Sequence, residues 1–149
     1  MQIADLIDEG RVLIDLQVPD KARLLQALSK HAARFAAVGE SEIAAALLAR
    51  EALGTTGMGG GIAIPHARIG GVTRSLGLFA RLKSPIDYDS VDGRPVDLVF
   101  LLLLPADLRG EQLQALACVS RCLRNPLIAA ELRKKADVAA TFGALSAGS

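Results

Sequence analysis

Val96-Asp97-Leu98-Val99-Phe100-Leu101-Leu102-Leu103-Leu104 is the most apolar segment of the chain, and it lacks the alternation of a strand with one wet face. An unbroken apolar run of this kind fits a strand covered on both faces, so we read it as the middle of a sheet. Upstream, Leu76-Gly77-Leu78-Phe79-Ala80-Arg81-Leu82 reads as a second strand. A loop from Lys83 to Pro95 joins the two and carries Asp87, Asp89 and Asp92, the last in the turn pair Asp92-Gly93. These acids lack the glycine and the terminal glutamate of a calcium loop and are read as solvated turn residues.

Downstream, Pro105 to Gly110 leads into a helix with Gln112, Leu116, Val119 and Leu123 on one stripe, stopped by Asn125-Pro126. Gln112 is a polar residue on an inner face. Leu127 to Lys134 and Val138 to Leu145, the second capped by Asp137, read as short closing helices before a loose Ala147-Gly148-Ser149 tail. At the other end, Ile3 to Ile7 suggests a helical turn, and Val12 to Leu16 a strand ended by Pro19. Asp20 then caps a helix in which Leu25, Leu28, Ala32 and Phe35 recur at helical spacing until Gly39. Ser41 is read as the cap of the next helix, where Ile43, Leu47, Arg50 and Gly54 share a stripe. Strands alternating with helices predict an α/β fold: one domain over residues 1–149, with a central mixed sheet flanked by helices on both faces.

Between the second helix and the second strand lies Gly57-Met58-Gly59-Gly60-Gly61-Ile62-Ala63-Ile64-Pro65-His66-Ala67-Arg68. Glycines bring backbone N–H groups close to a bound group, so Gly57, Gly59 and Gly61 are candidate parts of an anion cradle. Ile62 to Ile64 reads as the start of a strand, and Pro65 holds Ile64 extended. His66 then stands where strand gives way to irregular backbone. An imidazole there is either a hydrogen-bonded structural residue or a mostly neutral nucleophile that can also bind metal or move protons. Arg50 also has two readings. A cation in a last helical turn suits the macrodipole, and its stem can snorkel, yet an inward guanidinium would face the glycine loop and could pair with a phosphate. His31, in mid-helix with no motif around it, is read as structural.

The 149 residues carry 17 Lys+Arg against 16 Asp+Glu, a net charge of +1, so no broad field favours a nucleic acid or an anionic membrane. Aromatics make up 3% and tryptophan is absent, which leaves little for base stacking. Cys118 and Cys122 fall four residues apart on one helix, where a disulfide would strain the backbone; reduced thiols in a cytoplasmic setting are expected. No leader-like opening is evident, and the longest apolar run is too short to span a bilayer. Several chemistries fail on the residues themselves. A phosphate-binding P-loop needs Lys and a hydroxyl where Ile62-Ala63 stands, and the dinucleotide fingerprint follows a strand, whereas this loop follows a helix. Metal ligands are too thin for zinc, and no nucleophile elbow is present.

Arg50-Glu51, Gly54-Thr55-Thr56-Gly57, and Gly59 with Gly61-Ile62-Ala63-Ile64-Pro65-His66 resemble the signature of bacterial phosphotransferase-system enzyme IIA domains of the fructose, mannitol and nitrogen-regulatory class. The likeness extends through Pro85-Ile86, Val96 to Phe100 and Pro105-Ala106, and at this length is most like the nitrogen-regulatory branch. It implies that His66 accepts a phosphoryl group from a small histidine-containing phosphocarrier protein, with Arg50, Thr56, the loop glycines and Gln112 holding the phosphoryl oxygens. No cofactor or metal is implied. Expected partners are that phosphocarrier and either regulatory target proteins or a permease component, with no nucleic acid and no insertion into a membrane. The chain departs from the family pattern at Gln112-Leu113-Gln114-Ala115-Leu116, where a second histidine usually opens the helix. Glutamine can donate to a phosphoryl oxygen but cannot become a cation. Two further readings stay open: a binding module that works unphosphorylated, and the carrier subunit of a sugar permease.

Overall fold

The computed structural model describes residues 1–107 and 109–148, with Arg109 described by its backbone alone. Strand β6 (Val96–Pro105) lies at the middle of a six-stranded mixed sheet, as its composition requires. On one side it pairs antiparallel with β5 (Leu76–Ile86), which pairs in parallel with β1 (Val12–Leu16). On the other side two short strands share β6 end to end. β3 (Ile62–Ala63) lies parallel to Leu98–Val99, and β4 (His66–Ile69) parallel to residues 102–105. β2 (Gly57–Gly59) adds an antiparallel edge to β3.

Alternation along β6 sends side chains into two separate cores. Val99, Leu101 and Leu103, with Leu78 and Ala80 of β5, meet α1 (Lys21–Ala32) and α2 (Glu40–Ala52) on one face. Leu98, Phe100, Leu102 and Leu104, with Phe79, meet α3 (Arg109–Arg124), α4 (Pro126–Lys134), α5 (Val138–Ala147) and the N-terminal 3-10 turns. Every β6 residue from Leu98 to Leu104 is fully buried. At about 2–3 kcal/mol for each large apolar side chain buried, this strand alone supplies a large share of the driving force.

Asp20 and Asp137 cap α1 and α5 through their side chains, as expected, and Asn125, read as a stop for α3, also caps α4. Other expectations need correction. α1 stops at Ala32, and a turn leaves Phe35 half exposed over the Arg11 guanidinium, 5.6 Å from its ring centroid. Gly39 does not end that helix but is the N-cap of α2, so Ser41 lies inside the first turn. β5 continues past Leu82 to Ile86 across an irregularity, because Ile86 turns back into the core opposite Val96. Ala147 is helical and Gly148 closes α5, while Ser149 lies outside the described residues, as does Leu108 in the lead-in to α3. Cys118 and Cys122 are buried free thiols, and burial pushes Cys122 up to about 11. Among the described residues no helix is long and apolar enough to cross a membrane.

Candidate functional site

Pro65 decides where His66 sits. It has no N–H to give the β6 ladder, so the edge strand breaks between β3 and β4, though its carbonyl still accepts from Leu102 N at 3.0 Å. His66 therefore begins a second strand paired with Leu102, which corrects the expectation of irregular backbone there. The break also frees the Ile64 carbonyl to turn toward the ring, and His66 Nδ1 lies 2.8 Å from it. A carbonyl oxygen only accepts, so Nδ1 carries the proton and Nε2 the lone pair. The ring is held in the tautomer that exposes Nε2 as a nucleophile. Desolvation, helped by the Arg50 charge, lowers its pKa below the usual histidine value, against the opposing pull of the Ile64 bond and the Glu51 carboxylate. At neutral pH the imidazole is neutral.

His66 lines an open cleft of about 360 Å³. Arg50 comes to it from the end of α2, Thr55 and Thr56 from the following turn, and Met58 from β2. Ile64 lies beside the ring, and α3 supplies Leu116, Ala117 and Ser120 as the opposite wall. An adjoining cleft, also lined by Arg50 and His66, adds Leu53, Arg68 and Gln112. Arg50, Thr56, His66 and Gln112 are thus brought together from α2, the loop, the sheet and α3. His31 lines neither cleft.

Arg50 closes its helix, as the first of its two sequence readings has it, and it borders the cleft of His66 instead of the glycine loop. Its Nη1 donates to the Gly54 carbonyl at 2.8 Å, closing the end of α2, while the side chain borders both clefts. The glycines lie elsewhere. Gly57 to Gly61 form the β2–β3 hairpin, and none of Gly57, Gly59 and Gly61 lines either cleft. Gly57 is required because a Cβ there would meet Ser90 Oγ at 2.5 Å, and its N–H donates to Thr55 Oγ1 at 3.0 Å. The Gly60 N–H donates to Asp92 at 2.9 Å, and its carbonyl accepts from Arg133 at 2.9 Å. Gly61, at φ +82°, leaves room for the Arg133–Asp97 ion pair. The hairpin is built to be pinned at its tip, and what it presents to the cleft is Met58.

Sequence reasoning missed the group that organises Thr56. Glu51, next to Arg50, accepts from Lys21 Nζ at 2.9 Å, Thr56 N at 3.1 Å and Tyr88 OH at 3.2 Å, and from the Thr56 hydroxyl as well. Lys21 Nζ also sits 4.4 Å from the Tyr88 ring centroid. The Lys21 and Thr56 contacts outweigh burial and hold the Glu51 carboxyl below its ordinary value. Burial and the Glu51 charge push the Tyr88 phenol up. The one signal in sequence was a lone tyrosine set among acids in an otherwise polar loop. Among the described residues no three His, Cys, Asp or Glu side chains gather as a metal site.

Residues 5–147 match the family model described as the phosphoenolpyruvate-dependent sugar phosphotransferase system, EIIA 2. The nitrogen regulatory protein of Bradyrhizobium diazoefficiens is 44% identical over 146 residues, covering 98% of this chain and 95% of that protein. The crystal structure of nitrogen regulatory protein IIA-Ntr from Neisseria meningitidis superposes with a TM-score of 0.91 at 31% identity, over 96% of this chain and 98% of that one. Escherichia coli IIA mannitol, at 16% identity, shares the fold with a TM-score of 0.79 over 93% of this chain and 98% of its own. With a matching family model over nearly its whole length and full-length relatives of that kind, the chain belongs to the EIIA family of the phosphoenolpyruvate-dependent sugar phosphotransferase system.

Proposed function

We propose that His66 Nε2 is a phosphoryl acceptor and that the chain acts as a phosphocarrier in a regulatory, nitrogen-type branch of the system. The observation that carries this is the Nδ1 to Ile64 carbonyl bond, which leaves Nε2 neutral and nucleophilic beside Arg50. In the proposed step the Nε2 lone pair forms an N–P bond as the P–N bond of a donor phosphohistidine breaks. The donor ring, protonated on its other nitrogen, leaves with the electron pair of the broken bond as neutral imidazole, while the Nδ1 proton stays on the His66 ring, hydrogen-bonded to the Ile64 carbonyl. The acceptor becomes a phosphorylated imidazolium, so charge balances and no proton moves. Phosphoryl transfer asks chiefly for positioning and for stabilisation of the negative charge on the equatorial oxygens, a role we assign to Arg50 and the Gln112 amide, which line a cleft with His66. Thr56 and the glycine hairpin support the site by shaping the backbone around the ring. The donor is a small histidine-containing phosphocarrier protein. The regulatory assignment rests on similarity to the nitrogen regulatory proteins of Bradyrhizobium diazoefficiens and Escherichia coli.

The deciding experiment is intact-mass spectrometry at neutral to alkaline pH after incubation with phosphoenolpyruvate, enzyme I and the phosphocarrier of the same organism. One added phosphoryl group, absent in His66→Ala and retained in His31→Ala, is expected. Labelling that survives His66→Ala refutes the site. A second reading has its own observation: Leu53 is 84% exposed on the wall beside His66, and Leu113 is 72% exposed next to Gln112. Such a surface suits docking of a partner to the unmodified protein, and a new charge at His66 would weaken that grip. No phosphoryl gain with a competent donor would favour this reading.

A further inference from the structure

We infer that Glu51 is a positioning residue for His66, acting through a chain of contacts that sets which ring nitrogen is free; the inference deepens the phosphoryl-acceptor reading and rests on it for its kinetic part. Three contacts carry it. Glu51 Oε2 accepts from Thr56 N at 3.1 Å. The Thr56 carbonyl accepts from Ile64 N at 3.1 Å. The Ile64 carbonyl in turn faces His66 Nδ1 at 2.8 Å.

Each of these contacts acts where pairing with a helix or with β6 is interrupted. Thr56 lies just beyond Gly54, whose φ of +151° lets the chain leave α2, and so it has no helical partner for its N–H. Ile64 precedes Pro65 and stands between β3 and β4, outside both pairings with β6. The Ile64 peptide is therefore tied to Thr56 as well as to its chain neighbours, which pair with β6, and Thr56 is tied to Glu51. Glu51 is itself over-determined. Its side chain is 6% exposed and meets Lys21 from α1, Thr56 from the loop and the fully buried Tyr88 from beyond β5. Four donors on one carboxylate fill its acceptor positions, which makes it a rigid anchor rather than a mobile charge. A purely structural ion pair would need only Lys21. The direct bond to the Thr56 backbone turns the same carboxylate toward the acceptor ring. The Thr56 hydroxyl is occupied by Glu51 and Tyr88 and is spent on this anchoring.

Glu51→Gln keeps the shape but replaces one acceptor oxygen with a donor, so it must turn away from either Lys21 or Thr56. The test reads the His66 ring directly, by ¹⁵N chemical shifts of its two nitrogens in the full chain, and in parallel the single-turnover rate of phosphoryl uptake from the phosphorylated phosphocarrier. Wild type is expected to hold Nδ1 as the protonated nitrogen. The variant should show a mixed tautomer population, and an uptake rate at least tenfold lower with little change in donor concentration dependence. Lys21→Gln removes the ammonium alone and serves where Glu51→Gln does not fold; it should leave both the tautomer and the rate within threefold of wild type. A folded Glu51→Gln with an unchanged tautomer overturns the inference, as does a Lys21→Gln chain whose tautomer mixes equally. The ring readout needs no phosphoryl donor, so wild type that takes up no phosphate counts against the acceptor reading, while the tautomer comparison still decides the role of Glu51.

Discussion

Arg50→Ala separates two roles that one side chain fills. In the structure the guanidinium makes a single hydrogen bond, to the Gly54 carbonyl at 2.8 Å in an exposed setting, and it forms no ion pair among the described residues. Losing one exposed bond at a helix end costs about 0.5–1 kcal/mol. For a domain of this size that lowers Tm by about 1–4 °C. If the same group also stabilises a transferring phosphoryl, removing a preorganised cation costs about 10²-fold or more in rate, and the open cleft puts the effect at the lower end. The two readouts therefore differ by about two kcal/mol in opposite experiments. Rapid-quench mass spectrometry of single-turnover uptake gives the rate, and calorimetry gives Tm. Arg50→Lys keeps the charge without the planar fork and should recover only part of the rate. Uptake within threefold of wild type, with Tm lowered as calculated, would refute the phosphoryl role and leave Arg50 a helix cap.

The depressed pKa of His66 fixes the direction of two pH effects. Phosphoryl uptake should persist as pH falls through 6.5 and decline only beneath it, so a profile half-maximal above 6.5 contradicts the desolvated ring. Because the unfolded chain protonates first, stability is unaffected above 6.5 and erodes as pH falls from there through the folded value; His66→Ala should lessen that erosion, with His31, shifted the same way, supplying the rest. Gly61→Ala should cost at least about 2 kcal/mol in denaturant unfolding, since a Cβ at φ +82° would stand 2.7 Å from Arg133 Nη2 and 2.9 Å from Asp97 Oδ1. A loss under roughly 0.5 kcal/mol would mean that the pinned hairpin yields easily. Maleimide at pH 8 should label Cys118 and Cys122 only after denaturation, and native labelling at free-thiol rates would deny their burial. Gln112→His should change either the transfer rate or the phosphohistidine lifetime; no change in both would make Gln112 a bystander.

How much of this could be read beforehand depended on whether the signal was local. The unalternated run of β6 announced a strand buried on both faces, and Asp20, Asn125-Pro126 and Asp137 marked helix ends because capping is decided within three residues. Phe35 misled because helical spacing continued one turn beyond the helix, and its ring found Arg11 from the N-terminal segment instead. The glycines misled in a different way. They were read as room for an anion, whereas Gly57 and Gly61 make room for Ser90, Arg133 and Asp97, which are 33, 72 and 36 positions away. That His66 follows a break at Pro65 and that Arg50 closes a helix could be read locally, while their joint place in one cleft could not. Glu51, Lys21 and Tyr88 were not legible, because their meaning lies in a contact among three elements that no spacing encodes.

β6 divides the interior into two cores that share no side chain, and the cleft at His66 takes one wall from each: Arg50 from the α1–α2 layer, Leu116 and Ser120 from α3. Neither layer docked alone would complete it. A chain emerging in order lays down Arg50, Thr56 and His66 before β6 and α3 exist, so the cleft is complete only when α3 has returned over the sheet. An intact cleft is then an intrinsic report that the chain as far as α3 has folded back over the sheet.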